Sequence, residues 1–202
     1  MTTLYITRHG ETEWNTEGRM QGWNNSPLTY LGKMQAEWLR DRLKDVDFHA
    51  IYSSTLERAY QTAEIVKGQR NIEVIKKEGF KEISLGNWEG LTSQEIEAIN
   101  KEQNYNFWKA PHLYIPDGGE HFHELIARTH KGIKEILENH KDENVLVVTH
   151  GVTLKAIMLY FEDKPLERLW DPPFAHQTSL TVIEADKDKY NVLMHGDTAH
   201  YR

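Results

Sequence analysis

Two arginines and two histidines are the residues of this sequence whose types and positions best suit a chemical site. Arg8 and His9 follow a short β-prone run near the start of the chain, and His150 follows a run of four apolar residues. Arg58 lies one turn into a helix that is predicted to follow a further β-prone run. Guanidinium groups bind phosphate oxygens through paired hydrogen bonds. If folding brings the four side chains together, they would suit a dianionic phosphate.

Three predicted strands would place these residues at one edge of a sheet. The runs 4–7, 50–53 and 145–148 are β-prone, and helices are predicted after them. The carboxyl ends of parallel strands share one edge, where open α/β folds bind ligands. That edge would also present several free N–H groups at helix N-termini, which favour an anion.

Each of these residues also has an ordinary structural explanation when it is taken alone. A lone Arg-His pair is usually incidental, and a Thr-His-Gly triplet after a strand is usually a turn. Arg58 alone would be a solvated helix residue. Their coincidence at strand ends favours a functional site, but spacing by itself does not decide between the two interpretations.

The alternation of short strands and helices predicts an α/β protein with three layers. In this architecture a mainly parallel sheet is covered by helices on both faces. Further strands are predicted at 72–75, 180–185 and 190–194, and the last two would form an antiparallel edge hairpin around the turn 186–189. Helices are predicted after Thr29, over 55–67, 93–100 and 153–161, and around 125–137, whereas 11–28 and 79–90 are predicted as loops.

The length of 202 residues predicts one domain, 1–202. Residues 92–128 are the least regular part of the sequence and are expected to form a small irregular cap over the site. Aromatic residues are candidates to line the entrance, with burial in the core as the alternative. These candidates are Trp23, Phe107, Trp108 and Tyr114.

Composition excludes several classes of function. The 24 basic and 31 acidic residues give a net charge of −7, which argues against nucleic-acid or membrane-surface partners. The absence of cysteine excludes disulfides, thiolate zinc sites and a cysteine nucleophile. With no apolar run near the roughly 18 residues of a membrane span and no secretion signal, a cytoplasmic location is expected. The sequence does not predict the oligomeric state.

The stretch 120–124 offers the alternative of a metal site. It contains Glu120, His121, His123 and Glu124, which are residue types that bind metals. Alternate residues of a helix do not face each other, however, and no further ligand cluster is evident nearby in the sequence. The sequence therefore predicts no metal site. Gly-rich phosphate loops, dinucleotide fingerprints and a Gly-x-Ser-x-Gly elbow are also absent from it.

The stretch 4–15, Leu-Tyr-Ile-Thr-Arg-His-Gly-Glu-Thr-Glu-Trp-Asn, closely resembles the signature of the histidine phosphatase superfamily, which has the phosphoglycerate mutase-like fold. The resemblance covers nearly the whole chain and is greatest to the broad-specificity phosphatases of bacteria. Further matching positions are 21–22, 26–29, 52–54, 58–63, Glu82, 86–90, Pro116, 119–120 and 147–151.

This resemblance implies the catalytic residues. His9 would be the nucleophile, phosphorylated on a ring nitrogen during turnover. Arg8, Arg58 and His150 would hold the phosphoryl oxygens, and Glu82 would give a proton to the leaving oxygen. The cationic cluster would supply the charge that metals supply elsewhere, so no metal or other cofactor is expected.

The resemblance also implies residues that bind the substrate. Asn15 and the backbone at Gly151 would complete the phosphate pocket, with Gln21 and Gly22 on its wall. One departure from the family pattern is His121, which follows Glu120 where many relatives have serine. The role of position 121 is therefore open.

The function implied is hydrolysis of small organic phosphomonoesters, with relaxed specificity and an acidic to neutral pH optimum. The alternatives are a cofactor-dependent phosphoglycerate mutase and a phosphate-binding regulatory module without catalysis. The module is disfavoured because every catalytic position is filled. The mutase is disfavoured because it must bind a second anionic group of its substrate, for which few cations are available. Ile83-Ser-Leu follows Glu82 and offers no cation, and residues 92–118 contain only two, Lys101 and Lys109.

Overall fold

A six-stranded mixed sheet forms the centre of the computed structural model, which describes residues 1–186 and 189–202. The strand order is β3-β2-β4-β1-β5-β6. Strands β1 to β4 run parallel, whereas β5 and β6 add an antiparallel edge. The predicted architecture is therefore confirmed. The strands are β1 (Thr2–Arg8), β2 (Ala50–Ser54), β3 (Val74–Lys77), β4 (Asn144–Thr149), β5 (Leu180–Asp186) and β6 (Lys189–Asp197).

Helices cover both faces of the sheet. They are α1 (Glu13–Thr16), α2 (Tyr30–Arg42), α3 (Glu57–Lys67), α4 (Ser93–Ile99), α5 (Lys101–Lys109), α6 (Phe122–Asn139) and α7 (Gly151–Phe161). On one face α6 and α7 pack against Leu4 and Ile6 of β1. On the other face α2 and α3 pack against Ile51 of β2 and Leu146 of β4. Within the described ranges, no helix is long and apolar enough to cross a membrane.

The register of the central strands aligns the loops that leave them. Arg8 at the end of β1 pairs with Thr149 at the end of β4, and Ser53 of β2 pairs with Val148. The three strands therefore end at nearly the same level. This alignment sets the residues that follow β1 and β4 side by side, with the end of β2 next to them.

Several element boundaries differ from the prediction. The third strand lies at 74–77 rather than 72–75, α3 begins two residues later than predicted, and α7 begins two residues earlier. The predicted loop 11–28 contains α1, whose N-cap Thr12 accepts a hydrogen bond from the N–H of Asn15. Of the predicted hairpin turn at 186–189, the central residues 187 and 188 lie outside the described residues.

The stretch 92–128 contains the helix predicted over 93–100, observed as α4, and a further helix, α5, that was not predicted. The side chain of Asn100 caps α5 by accepting a hydrogen bond from Gln103 N–H. Both helices are short, and the nine residues of α5 show no clear periodicity in sequence. Their buried residues Ile96 and Phe107 join a third apolar cluster with Trp88.

Candidate active site

His9 and His150 lie next to each other at the carboxyl ends of β1 and β4. The backbone N–H of His9 donates to the carbonyl of Thr149 at 2.9 Å, which extends the strand pairing by one residue. The two imidazole rings are 5.2 Å apart between centroids and inclined at 61°. Both side chains are buried. The two histidines of the sequence pattern are thus brought together.

The hydrogen bonds of His9 define its tautomer. Nδ1 lies 2.7 Å from the carbonyl oxygen of Gly10, which can only accept, so Nδ1 carries the proton. Nε2 then holds the free electron pair and accepts from Nε of Arg58 at 3.3 Å. Burial, reinforced by the charges of Arg58 and Arg8, holds the pKa of His9 well below its usual value. The imidazole is therefore neutral near pH 7, with Nε2 as the nucleophilic atom.

Arg58 is a fixed internal cation rather than a solvated helix residue. It lies in the first turn of α3 and its side chain is only 1% exposed. Its terminal nitrogens donate to the carbonyls of Gly22 and Asn24, each at 2.7 Å. Burial lowers the pKa of Arg58 to about 10, so the group stays charged at neutral pH.

Arg8 presents unused hydrogen-bond donors to the same place. Its Nη1 donates to the carbonyl of Ala175 at 3.0 Å, while Nε is buried and has no partner among the described residues. Burial lowers the pKa of Arg8, and the charge of Glu82 opposes this shift. Nε of Arg8 lies close to Gly151, since a Cβ atom at that glycine would be 3.5 Å away from it. A buried donor of this kind needs an acceptor, and an anion would provide one.

The side-chain carboxylate of Glu82 lies at the N-terminus of α7. Its carboxylate accepts four hydrogen bonds, from the N–H groups of Ile83, Val152 and Thr153 and from the Thr153 hydroxyl, at 3.0–3.1 Å. A protein carboxylate therefore takes two of the N–H groups at the start of α7, so these two are not available to a ligand. Gly151 N–H is left, among the described residues, without a hydrogen-bond partner.

His150 is fully buried as the N-cap residue of α7. Its Nε2 lies 2.7 Å from the hydroxyl of Ser54, and its Nδ1 has no partner in the described part of the chain. Burial and the charge of Arg58 hold the pKa of His150 well below its usual value. Its ring, like that of His9, is neutral near pH 7.

A cavity of about 790 Å³ opens above these groups. It is lined by eight of the nine residues that the sequence singled out, and His150 lies beside it, against His9. Those eight are Arg8, His9, Asn15, Gln21, Gly22, Arg58, Glu82 and Gly151. The Asn15 amide oxygen accepts from the N–H and the hydroxyl of Thr12, so its Nδ2 remains as a donor.

One wall of the cavity was not predicted from the sequence. The segment 174–177 and Trp170 contribute to it, and Lys155 of α7 holds the neighbouring backbone by donating to the carbonyls of Asp171 and Pro173. The position of Lys155, one helical turn after Gly151, is a signal that it faces the same side. The loop residues have no periodicity or motif that could have identified them.

The aromatic candidates for the entrance divide between the two interpretations. Trp108 lines the cavity, whereas Phe107 and Tyr114 are buried in the core. Trp23 does not line the cavity, and its indole N–H donates to the carbonyl of Glu82 at 2.8 Å. Lys109 also lines the cavity, as do two further cations, Arg19 and Lys155, from outside the stretch 92–118.

The two glutamates of the stretch 120–124 have structural roles. Glu120 forms an ion pair with Arg128 at 2.7 Å, and Glu124 accepts the N–H of His121 at the start of α6. Arg128 also donates to the carbonyl of Glu82 at 2.8 Å, so the pair supports the loop that carries Glu82. Among the residues described, no group of three or more histidine or acidic side chains could hold a metal ion.

Comparison with known proteins agrees with this site. Residues 4–198 match the family model of the histidine phosphatase superfamily, branch 1. Phosphoglycerate mutase-like protein 4 of Arabidopsis thaliana is 33% identical over 201 residues, covering 98% of this chain and 86% of that protein. Phosphoserine phosphatase 1 of Hydrogenobacter thermophilus is 31% identical over 200 residues, covering 99% of this chain and 94% of that protein.

A solved structure extends the likeness to three dimensions. YhfR of Bacillus stearothermophilus superposes with a TM-score of 0.96 at 48% sequence identity, covering 99% of each chain. At this similarity the backbone folds of the two chains correspond along nearly their whole length.

Proposed function

The chain belongs to the histidine phosphatase superfamily, and we propose that it hydrolyses small organic phosphomonoesters through a phosphohistidine at His9. The observation that carries this proposal is the state of His9. Its imidazole is neutral, its Nε2 electron pair is held by a guanidinium, and a second guanidinium and a carboxylate line the same cavity. A neutral nucleophile beside two fixed cations suits attack on a dianionic phosphoryl group.

Binding would use two N–H groups that have no hydrogen-bond partner among the described residues, those of Arg8 Nε and Gly151. These groups, together with Arg58 and Asn15, line the cavity. These groups would hold the three terminal oxygens and stabilise the charge that spreads over them in the transition state. The Arg58 Nε–H would move from Nε2 of His9 to a phosphoryl oxygen, which frees the electron pair for reaction.

In the first step Nε2 of His9 attacks phosphorus and the ester P–O bond breaks. For this step Glu82 must be in its protonated carboxylic acid form; its proton passes to the leaving oxygen, so an alcohol departs and Glu82 becomes a carboxylate. The Nδ1–H bond to the Gly10 carbonyl, 2.7 Å long in the free protein, would stabilise the positive charge that forms on the ring.

In the second step water attacks the phosphohistidine. Glu82 accepts a proton from that water, the N–P bond breaks, and inorganic phosphate leaves with both residues in their starting states. Oε2 of Glu82 accepts only one of the four hydrogen bonds, which leaves it available for both proton transfers.

Relaxed substrate specificity is part of the proposal. The cavity of about 790 Å³ is much larger than a phosphate group, and its outer wall combines Trp108, Trp170 and Phe174 with Lys109. Such a wall offers apolar surface that organic groups of different shapes can contact. We further propose a cytoplasmic location and small-molecule substrates. The net charge of −7 supports the absence of nucleic-acid and membrane partners.

Mutase activity is the second candidate. The cations Arg19, Lys109 and Lys155 line the cavity and could meet a second anionic group of the substrate. However, Arg19 is paired with Glu17 at 2.7 Å, and Lys155 donates to two backbone carbonyls. Two of the three cations are therefore already engaged, which favours hydrolysis.

A screen of phosphomonoesters tests the proposal. Phosphate release from phosphoserine, glycerol phosphate and p-nitrophenyl phosphate is measured with EDTA present, beside a coupled assay of 3-phosphoglycerate isomerisation with 2,3-bisphosphoglycerate. We expect metal-independent hydrolysis of several esters and its loss in His9→Ala. Isomerisation faster than phosphate release would favour the mutase, and absence of both activities would contradict an enzymatic role.

A further inference from the structure

Ser54 links two elements of the site without lining the cavity. It is the last residue of β2, and its side chain is fully buried. Its hydroxyl accepts the backbone N–H of Leu56 at 3.1 Å, in the turn that leads into α3 and Arg58. On its other side the same hydroxyl lies 2.7 Å from Nε2 of His150.

The contact with Leu56 restricts where the hydroxyl proton of Ser54 can go. A serine hydroxyl has one proton to donate and two electron pairs that accept, and the N–H of Leu56 uses one of these pairs. Among the described residues, Nε2 of His150 is the only acceptor within reach of that proton. The proton is therefore satisfied only if it points to Nε2, which must then be unprotonated.

The opposite tautomer would leave more buried groups without partners. If Nε2 carried the ring proton, it would donate to Ser54, and the Ser54 proton would have no acceptor. The electron pair of Nδ1 would also lack a donor, because Nδ1 of His150 has no hydrogen-bond partner in the described residues. Buried polar groups without partners are disfavoured, so the tautomer protonated on Nδ1 is preferred.

We propose that Ser54 is a positioning residue that holds neutral His150 in the Nδ1-protonated tautomer, so that its Nδ1–H can donate to a phosphoryl oxygen bound at His9. The ring centroids of the two histidines are 5.2 Å apart, a separation that would allow an oxygen of a phosphoryl group on His9 to contact His150. This second part of the inference rests on the proposed function, whereas the tautomer itself does not.

The tautomer is measured on the free protein by nitrogen-15 NMR. Long-range proton–nitrogen correlation distinguishes a protonated ring nitrogen from an unprotonated one, and a His150→Asn sample identifies the signals of His150 among the eleven histidines. We expect Nδ1 of His150 to be protonated and Nε2 unprotonated at pH 7.5. A ring protonated on Nε2, or on both nitrogens, would overturn the proposal whatever the activity of the protein.

Variants of two adjacent serines separate positioning from a general structural effect. Ser54→Ala removes the hydroxyl that faces His150, whereas Ser53→Ala removes an equally buried hydroxyl that donates only to the Ser54 carbonyl. We expect Ser54→Ala to weaken inorganic phosphate binding and to lower kcat/KM by about 10-fold, the value of one lost hydrogen bond to an anion. Ser53→Ala should stay within about twofold of wild type, since it changes no contact of the site.

The same two variants carry a spectroscopic readout. In Ser54→Ala the His150 signals should shift toward the Nε2-protonated form, and in Ser53→Ala they should stay unchanged. Phosphate should move the Nδ1 resonance of His150 in the wild type. Equal kinetic losses in both variants with an unchanged tautomer would assign Ser54 a merely structural role. Phosphate binding without a change at Nδ1 would refute the contact with the phosphoryl group while leaving phosphatase activity itself intact.

Discussion

Glu82 and His9 have opposite hydrogen-bond environments although they line the same cavity. His9 donates one hydrogen bond to a carbonyl and has a guanidinium at its free nitrogen, whereas Glu82 accepts four hydrogen bonds. The first environment keeps an electron pair available for bond formation. The second fixes a carboxylate in position, with one oxygen less engaged than the other. These differences support separate roles as nucleophile and proton-transfer group.

At this scale we predict that Glu82→Gln discriminates between substrates by their leaving groups. An alkoxide needs a proton as the P–O bond breaks, whereas p-nitrophenolate leaves without one. Phosphorylation of His9 should therefore slow by about 100-fold or more with glycerol phosphate and much less with p-nitrophenyl phosphate. Single-turnover kinetics measure this step.

The control for this prediction is Glu124→Gln, which removes a carboxylate that caps α6 instead of one in the cavity. It should leave both rates near those of the wild type. Equal slowing of both substrates by Glu82→Gln would give Glu82 a positioning role only.

The sequence identified most of these residues but not their contacts. The run around Arg8 and His9 is a specific motif, so their place in the site could be predicted. The bonds of Glu82 to Val152 and Thr153 join residues about 70 positions apart. No local pattern in the sequence predicts that Glu82 accepts hydrogen bonds from two N–H groups of α7.

At the scale of elements, α5 supplies one aromatic residue of the cavity wall, Trp108. Its residue Phe107 is fully buried, while the next residue, Trp108, is 36% exposed and lines the cavity. Trp108 packs on Trp170 at 4.8 Å between ring centroids, so its indole is held in place. A fixed indole at the mouth offers a surface for the organic part of a substrate.

We predict that Trp108→Ala lowers affinity for aryl phosphates selectively. Loss of an aromatic contact should raise KM for p-nitrophenyl phosphate by about 3- to 10-fold. The KM for glycerol phosphate should change by less than about twofold, because glycerol makes no ring contact. Steady-state kinetics with the two substrates provide the measurement.

Tyr105→Ala provides the matched control, since Tyr105 is an exposed aromatic residue of the same helix that does not line the cavity. An equal rise of KM for both substrates in Trp108→Ala would indicate that α5 supports the fold of the wall rather than the substrate.

The elements themselves were predictable to different degrees. β4 contains the uninterrupted apolar run 145–148, and buried parallel strands have this signature. α4 was predicted as a helix over 93–100, whereas α5, which follows it at Asn100, is too short to show a helical repeat and was not predicted. The cavity wall at 174–177 depends on contacts with Arg8 and Lys155, which are distant in sequence.

At the scale of the whole molecule, the fold buries neutral histidines. Burial holds the pKa values of His9 and His150 well below their usual value. In the unfolded chain each would titrate near its ordinary pKa of about 6.5. As the pH falls below that value, the unfolded state binds protons that the folded state does not, so folding loses stability.

We therefore predict that the free energy of unfolding decreases by about 1 kcal/mol for each of these two histidines between pH 7.5 and 5.5. Urea unfolding at several pH values measures it. His9→Ala should reduce the dependence on pH, whereas His112→Ala, which removes an exposed histidine, should not. A stability that is constant or rises toward acidic pH would contradict neutral burial of these rings.

The account as a whole rests on a covalent intermediate at His9. The direct measurement is rapid acid-free quenching of the enzyme during turnover of a substrate with a labelled phosphoryl group, followed by mapping of the labelled peptide. We predict acid-labile, base-stable label on His9 that forms and decays at rates compatible with kcat. His9→Ala should take up no label, although its circular dichroism matches the wild type. Label on a serine or aspartate, or undiminished turnover in His9→Ala, would contradict the account.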